Sequence, residues 1–290
     1  MKQSFKISVI IPLYNKENAV LATIESVLKQ EYRNFECLIV DDGSTDNSLS
    51  VISQINDDRV KIFTKKNGGV SDARNYGIKY ASTNNIFFLD ADDIITPGCL
   101  RSFMQQMTKY PDAEIYTANF FIERDNKLLT FCSGLQAGYI DNPLKALYYR
   151  QIFPRTGTTL IRKYCLIQSG GFDPEVAVHE DSELFIRLIK KYRVVYSPEK
   201  IFSYKTGFNE MSLNNISMHK EYAYHIDLRG RSFYERMLLS ELIFKAYRRY
   251  WPRNRKMAMT FIKKNLRHLP SIIYTVLHIK LVRNRRLIVC

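Results

Sequence analysis

The sequence predicts an α/β fold, a sheet wound with helices, followed by a helical C-terminal appendage. Three observations predict it. Over the first hundred residues, short β-branched runs alternate with segments whose apolar residues recur at helical spacing, the pattern of strand–helix–strand units. Polar clusters fall just beyond each apolar run, where open α/β sheets bind their ligands. The charge is divided: the net +14 of the 290 residues lies in residues 229–290, which hold 16 Lys and Arg against only Glu235 and Glu241, and the remainder is neutral.

The elements follow in order. A β-branched run at 7–11 stops at Pro12, and Val20, Ile24, Val27 and Leu28 continue at helical spacing. Strands are expected at 35–40, 60–63 and 86–89, with helices through Leu49 and Ile52 and through Ala73, Tyr76, Gly77 and Tyr80. Tyr14-Asn15, Asp41-Asp42, Asn67-Gly68-Gly69 and the aspartates at 90–93 then converge on one crevice. Further on, helices are expected near 98–109, 143–150, 163–169 and 180–191, and strands at 114–118, 157–161, 193–197 and 201–205. Beyond residue 213 the chain reads mostly helical. These boundaries divide it into a domain over 1–212, in two parts that meet at about residue 95, and a basic helical region over 213–290.

The stretch FFLDADD at 87–93 ends a buried run in Asp90, Asp92 and Asp93. Carboxylates this close repel and need a counter-charge. D-x-D on a strand-to-loop turn suits Mg²⁺ or Mn²⁺, which take one or two carboxylates plus substrate phosphates. The plainer reading is loop capping before the helix near Pro97. Asp41-Asp42-Gly43-Ser44 is a second acidic turn. It can accept from a base N–H or a ribose hydroxyl, or simply form an Asx turn. The Asn67-Gly68-Gly69 loop leads into a helix carrying Arg74, which can approach a nucleotide or another anion, or lie on the surface.

Taken together, SVIIPLYNK (8–16), LIVDDGSTD (38–46), NGGVSDARNYGI (67–78) and FLDADD (88–93) resemble the ordered motifs of glycosyltransferase family 2. Gly170-Gly171-Phe172-Asp173 and the HEDSEL segment at 179–184 resemble its downstream elements. The resemblance covers residues 6–205 and implies a GT-A type, Rossmann-like mixed sheet and inverting transfer from a nucleotide-sugar donor, a UDP-sugar above all. It implies a glycan or lipid-linked glycan as acceptor, in synthesis of a bacterial surface polysaccharide. It places Pro12, Tyr14, Asn15, Asp42, Arg74, Asp90 and Ala91 at the nucleotide-sugar. Asp92, with Asp90, would hold Mn²⁺ or Mg²⁺, and Asp181 would be the general base. The family's usual histidine after the last strand is not evident; the segment from Tyr204 to Ser212 offers Lys205 as a charge there.

The implied chemistry is coherent. A divalent cation neutralises the leaving diphosphate, and a carboxylate within reach takes the acceptor's proton. A base opposite the leaving group gives inversion. Glu180 and Asp181 are adjacent on a helix start and point in different directions, so only one can be that base. His179 fits lining or surface better than ligation. Two rivals differ in class. An aspartyl-phosphate phosphatase would want a D-G-T-like turn, whereas Asp93-Ile94-Ile95 follows Asp92. A non-catalytic membrane- or nucleic-acid-binding scaffold would leave Asp92 and Asp181 without purpose.

The basic region interleaves Arg248, Arg249, Arg255, Lys263 and Lys264 with Tyr250, Trp251 and Phe261, and its stretch at 268–282 is apolar between arginines. That suits an interfacial helix on an anionic membrane; helices packed back on the domain and a homo-oligomer contact are the alternatives. No nucleic-acid motif accompanies it. Five scattered cysteines, no secretory signal and no 18-residue apolar run point to a cytoplasmic protein, peripheral on the inner face of the cell membrane.

Overall fold

The structure, a computed structural model, describes residues 5–124, 127–130, 133–205, 217–252 and 254–283. Its first part alternates as the pattern requires: β1 (Ile7–Leu13), α1 (Val20–Leu28), β2 (Phe35–Asp41), α2 (Ser48–Ser53), β3 (Val60–Thr64), α3 (Val70–Tyr80) and β4 (Asn85–Phe88). Next come β5 (Ile94–Ile95), α4 (Cys99–Lys109), β6 (Ile115–Arg124), β7 (Lys127–Thr130), β8 (Gly138–Tyr139) and α5 (Pro143–Tyr148). The sheet is completed by β9 (Thr159–Arg162), α6 (Lys163–Gln168), α7 (Glu180–Ile189) and β10 (Val194–Lys205). Four helices follow: α8 (Tyr222–His225), α9 (Phe233–Tyr250), α10 (Arg255–Lys264) and α11 (Leu269–His278).

The strands form one ten-stranded mixed sheet, in the order β3-β2-β1-β4-β9-β6-β10-β5, with β7 on β6 and β8 on β10. The pairs β1–β2, β2–β3, β1–β4 and β6–β10 are parallel. β9 enters antiparallel between β4 and β6. Leu13 pairs with Asp41 and Asp41 with Thr64, so three carboxyl ends finish level. Ile10 pairs with Phe88, which brings Asp90 out beside Pro12. The strands expected separately at 193–197 and 201–205 are one strand, β10, whose register slips between Ser197 and Lys200 and again before Ser203. Pro198 lies in the first slip and has no N–H for the ladder.

Both sheet faces are covered around β1, β2 and β4, which are buried throughout, while β3 at the sheet edge is partly exposed. Val9, Ile11, Cys37 and Phe87 pack with α1 and α4. Ile10, Leu38, Phe88 and Ile161 pack with α3, α6 and α7 on the other face. Gly77 lets α3 settle onto β1, since a Cβ there would lie 2.3 Å from Ile10 Cγ2. This close approach carries Arg74 to the strand ends.

The basic C-terminal helices join this second core. Met237, Leu238, Leu242, Ile243 and Ala246 of α9, Phe261 of α10 and Ile272 of α11 are buried in it. Glu235 and Glu241, the two acids of residues 229–290, are both buried: Glu235 meets Lys190 just past α7 at 3.0 Å and Glu241 meets Lys245 at 3.1 Å. The outer side of α11 differs, with Ile273, Tyr274 and Leu277 at least half exposed. Among the described residues, no helix is long and apolar enough to cross a membrane.

Candidate active site

The strand ends surround a cleft of about 750 Å³ that contains Pro12, Tyr14, Asp42, Arg74, Asp90, Ala91 and Asp92, with Glu180 across from them. They reach it from several elements. Pro12 is the penultimate residue of β1, and Tyr14 stands exposed just beyond the strand. Asp90 and Ala91 follow β4, and Arg74 comes from the second turn of α3.

Arg74 is the centre of the electrostatics. It is almost wholly buried, places Nη2 on Asp90 Oδ1 at 2.7 Å and Nη1 on Glu180 Oε1 at 3.0 Å, and lies over the Phe172 ring at 5.0 Å. Burial opposes its charge, yet Asp90 and Glu180 raise its pKa above the usual arginine value. The effect is reciprocal at Asp90: burial works against the carboxylate, but Arg74 holds its pKa down. Thr156 donates to its other oxygen at 3.1 Å. Glu180 goes the other way, raised by burial and by Asp181 despite Arg74.

Asp92 is 47% exposed and meets Lys16 Nζ at 2.6 Å. Part of the counter-charge for the aspartate cluster therefore comes from the chain itself, through Arg74 and Lys16. Negative charge still dominates at Asp93, where burial, then Asp90 and further Asp92, push the carboxyl up to about 8. Among the described residues, no three His, Cys, Asp or Glu side chains converge as a metal cage. The donor set fits an open site instead: accessible Asp92 beside an electron-rich cluster, with phosphate oxygens completing the shell of a hard divalent cation.

Two expected ligand residues are engaged in building the cleft. Asp42 accepts from Lys65 Nζ at 2.6 Å and from the backbone N–H groups of Gly68 at 3.0 Å and Gly69 at 2.7 Å, so it anchors the loop before α3. Asn15, left-handed at φ 50, accepts from the Thr45 N–H at 2.8 Å and so ties the loop after β1 to the one after β2. Lys205's side chain lies outside the described residues. Lys16 and Thr156 were not singled out from sequence; Lys16 sits inside the first motif, but nothing local pairs it with a residue 76 positions on.

Asp181 opens elsewhere. Its Oδ1 accepts from the Ser182 N–H at 2.6 Å, and it lines a separate cleft of about 450 Å³ with Arg150, Phe153, Arg155, Phe185, Leu238 and Lys245. Successive helical residues point about 100° apart. Glu180 thus turns to Arg74 and the strand ends while Asp181 faces the second cleft.

The Asp93 proton has a measurable consequence. Its folded pKa, about 8, exceeds the unfolded value, so the folded chain holds a proton that the unfolded chain has lost. The stability this contributes is full below about pH 4. It declines as pH rises and is gone above about 8. Asp93→Asn should flatten the fall in melting temperature between pH 5 and pH 8, read by calorimetry without metal. An unchanged fall would show that Asp93 is ionised throughout.

The model of the family described as Glycosyl transferase family 2 matches residues 8–167, more than half of the chain. A UDP-Glc:alpha-D-GlcNAc-diphosphoundecaprenol beta-1,3-glucosyltransferase of Escherichia coli is 38% identical over 126 residues, 43% of this chain and 49% of its own. Glycosyltransferase GlyG of Streptococcus pneumoniae is 36% identical over 133 residues, 44% of each chain. The chain thus spans about half the length of either relative. Among solved structures, S. aureus TarS 1–349 in complex with UDP-GlcNAc superimposes with a TM-score of 0.69, at 21% identity, over 93% of this chain and 79% of that one. That likeness is one of fold, the GT-A fold.

Proposed function

Because the chain belongs to glycosyltransferase family 2, we propose that it transfers a hexosyl or N-acetylhexosaminyl group from a UDP-sugar to a glycan or lipid-linked glycan, with inversion. The observation that carries this reading is the divergence of Glu180 and Asp181 into two clefts. One holds a donor and the other admits an acceptor, and the two meet at the start of α7.

In the donor cleft the base sits against Pro12 and Tyr14, at the loop that Asp42 anchors. The diphosphate lies at Asp92, where Mn²⁺ or Mg²⁺ would be held. That cation supplies neutralisation of the leaving diphosphate. Arg74 keeps Asp90 ionised and in place while Lys16, paired with Asp92, adds positive charge on the same side. In the other cleft Ser182 fixes one oxygen of Asp181, leaving Oδ2 to take the acceptor hydroxyl's proton. The apolar wall of Phe185, Leu238 and Leu242 beside Arg150 and Lys245 suits an acceptor with both lipid and anionic parts. The acceptor in the E. coli relative's name is of that kind. Synthesis of a bacterial surface polysaccharide is the setting we favour.

The basic region would hold the enzyme on an anionic membrane surface. Its buried face docks on the domain, while Ile273, Tyr274 and Leu277 remain outward on α11, which Arg267 and Lys280, both exposed, flank in sequence. Near an anionic leaflet each such cation contributes on the order of 1 kcal/mol.

Two measurements test these roles. Asp92→Asn should abolish Mn²⁺-dependent UDP binding in calorimetry, whereas Asp181→Asn should keep it and lose roughly 10²–10⁴-fold in transfer. Wild-type UDP affinity in the first variant, or near wild-type transfer in the second, removes that residue from its role. Separately, the full chain should co-sediment with phosphatidylserine-rich liposomes, more weakly but still measurably at high salt. Failure to sediment at low salt ends the membrane reading.

A further inference from the structure

His179 directly precedes Glu180 and Asp181, and it caps α7 with a left-handed backbone, φ 62 and ψ 30. That conformation is disfavoured for a residue with a Cβ and persists only where the surroundings impose it. Here the C-terminal helices impose it. Glu221, fully buried, sits with Oε1 at 3.0 Å from His179 Nδ1. Arg249 of α9 places Nη1 on the other Glu221 oxygen at 2.8 Å and Nη2 at 3.3 Å from His179 Nε2. A guanidinium can only donate, so Nε2 is the acceptor and Nδ1 carries the hydrogen given to Glu221. Both ring nitrogens are thereby engaged.

The backbone reinforces the link. Ala177 and Val178 donate their N–H groups to the Lys220 carbonyl at 2.8 and 3.2 Å, and the Tyr222 N–H donates to the Val178 carbonyl at 3.2 Å. The residues before His179 are therefore stitched to the same segment that supplies Glu221. A buried carboxylate–guanidinium pair is a weak source of stability compared with apolar packing. What this one provides is a connection, running from α9 to the peptide that carries the acid pair.

We propose that Glu221 and Arg249 are positioning residues for Asp181. Acting through His179, they lock the first turn of α7, so that the Asp181 carboxylate is held at the cleft that Leu238 and Lys245 of α9 also line. They touch no reacting atom. The basic C-terminal region is then part of the active site as well as an appendage. This inference rests on the reading of Asp181 as the general base.

The variants H179G, E221Q and R249K are compared with wild type, with D181N alongside. Turnover is read as UDP release from UDP-GlcNAc or UDP-glucose with a GlcNAc-diphospholipid acceptor. UDP affinity with Mn²⁺ and amide exchange over residues 177–184 are read on the same proteins. Glycine adopts the left-handed backbone freely, so a loss in H179G reports the missing tether and not strain. The expected result is a kcat lower by on the order of 10–10²-fold. UDP affinity stays unchanged and the amides of Asp181, Ser182 and Glu183 exchange faster. The double variant H179G/E221Q should lose no more than the worse single one, because both cut one link. Wild-type kcat in folded H179G and E221Q overturns the proposal, as do unaltered exchange or an equal loss of UDP affinity. If D181N is inactive while H179G and E221Q turn over normally, only the positioning claim falls. If D181N turns over normally, the base assignment falls and this inference with it.

Discussion

A single buried guanidinium holds the two halves of the site together. Arg74 lies between Asp90, beyond β4, and Glu180, at the head of α7, and neither carboxylate would be tolerated in that setting without it. The chain is arranged to deliver it. Gly77 brings α3 against β1, and Asp42 secures the loop before α3 through two backbone N–H groups. Phe172, from the Gly170-Gly171 turn, packs under the guanidinium. With Glu180 held, the helical turn sends Asp181 the other way. Two clefts thus flank one ion-paired junction.

The second junction lies on the far side of α7. Its first turn is gripped from within by Arg74 and from the C-terminal helices by Glu221 and Arg249, through His179. The basic region therefore has an inner and an outer character. Inward it contributes apolar side chains and the buried acids Glu221, Glu235 and Glu241; outward, α11 presents Ile273, Tyr274 and Leu277, with Arg267 and Lys280 exposed beyond its ends.

Much of the fold was legible in the sequence because strand–helix alternation and turn chemistry are local signals. The helices at 99–109 and 180–189 lie within two residues of expectation. β2, β3 and β4 end within one residue of expectation, whereas β1 runs on through Pro12, paired with Val40, to Leu13. The short strands β5, β7 and β8 were missed, since two to four residues carry no period and exist only through a partner strand. At the site, residue types in motifs identified who gathers at the cleft but not what each one bonds. Asp42 and Asn15, read as ligand residues in sequence, also brace neighbouring loops. Lys16 looks incidental, yet it meets Asp92. Such pairings depend on three-dimensional register, which one sequence does not display. The charge split at residue 229 suggested a separate task for the tail, but buried Leu238, Leu242 and Ile243 make it continuous with the catalytic core.

The dependence of the site on Arg74 is best tested by the transfer rate of Arg74→Lys. Lysine keeps the positive charge beside the two partly buried carboxylates, so the fold should survive. A single ammonium, however, cannot bridge Asp90 and Glu180 as the planar guanidinium does. The expected result is a folded protein whose kcat falls by on the order of 10–10²-fold, because both clefts lose their common reference. A folded Arg74→Lys variant with wild-type kcat would contradict it, and would show that charge at this position suffices without the bridge.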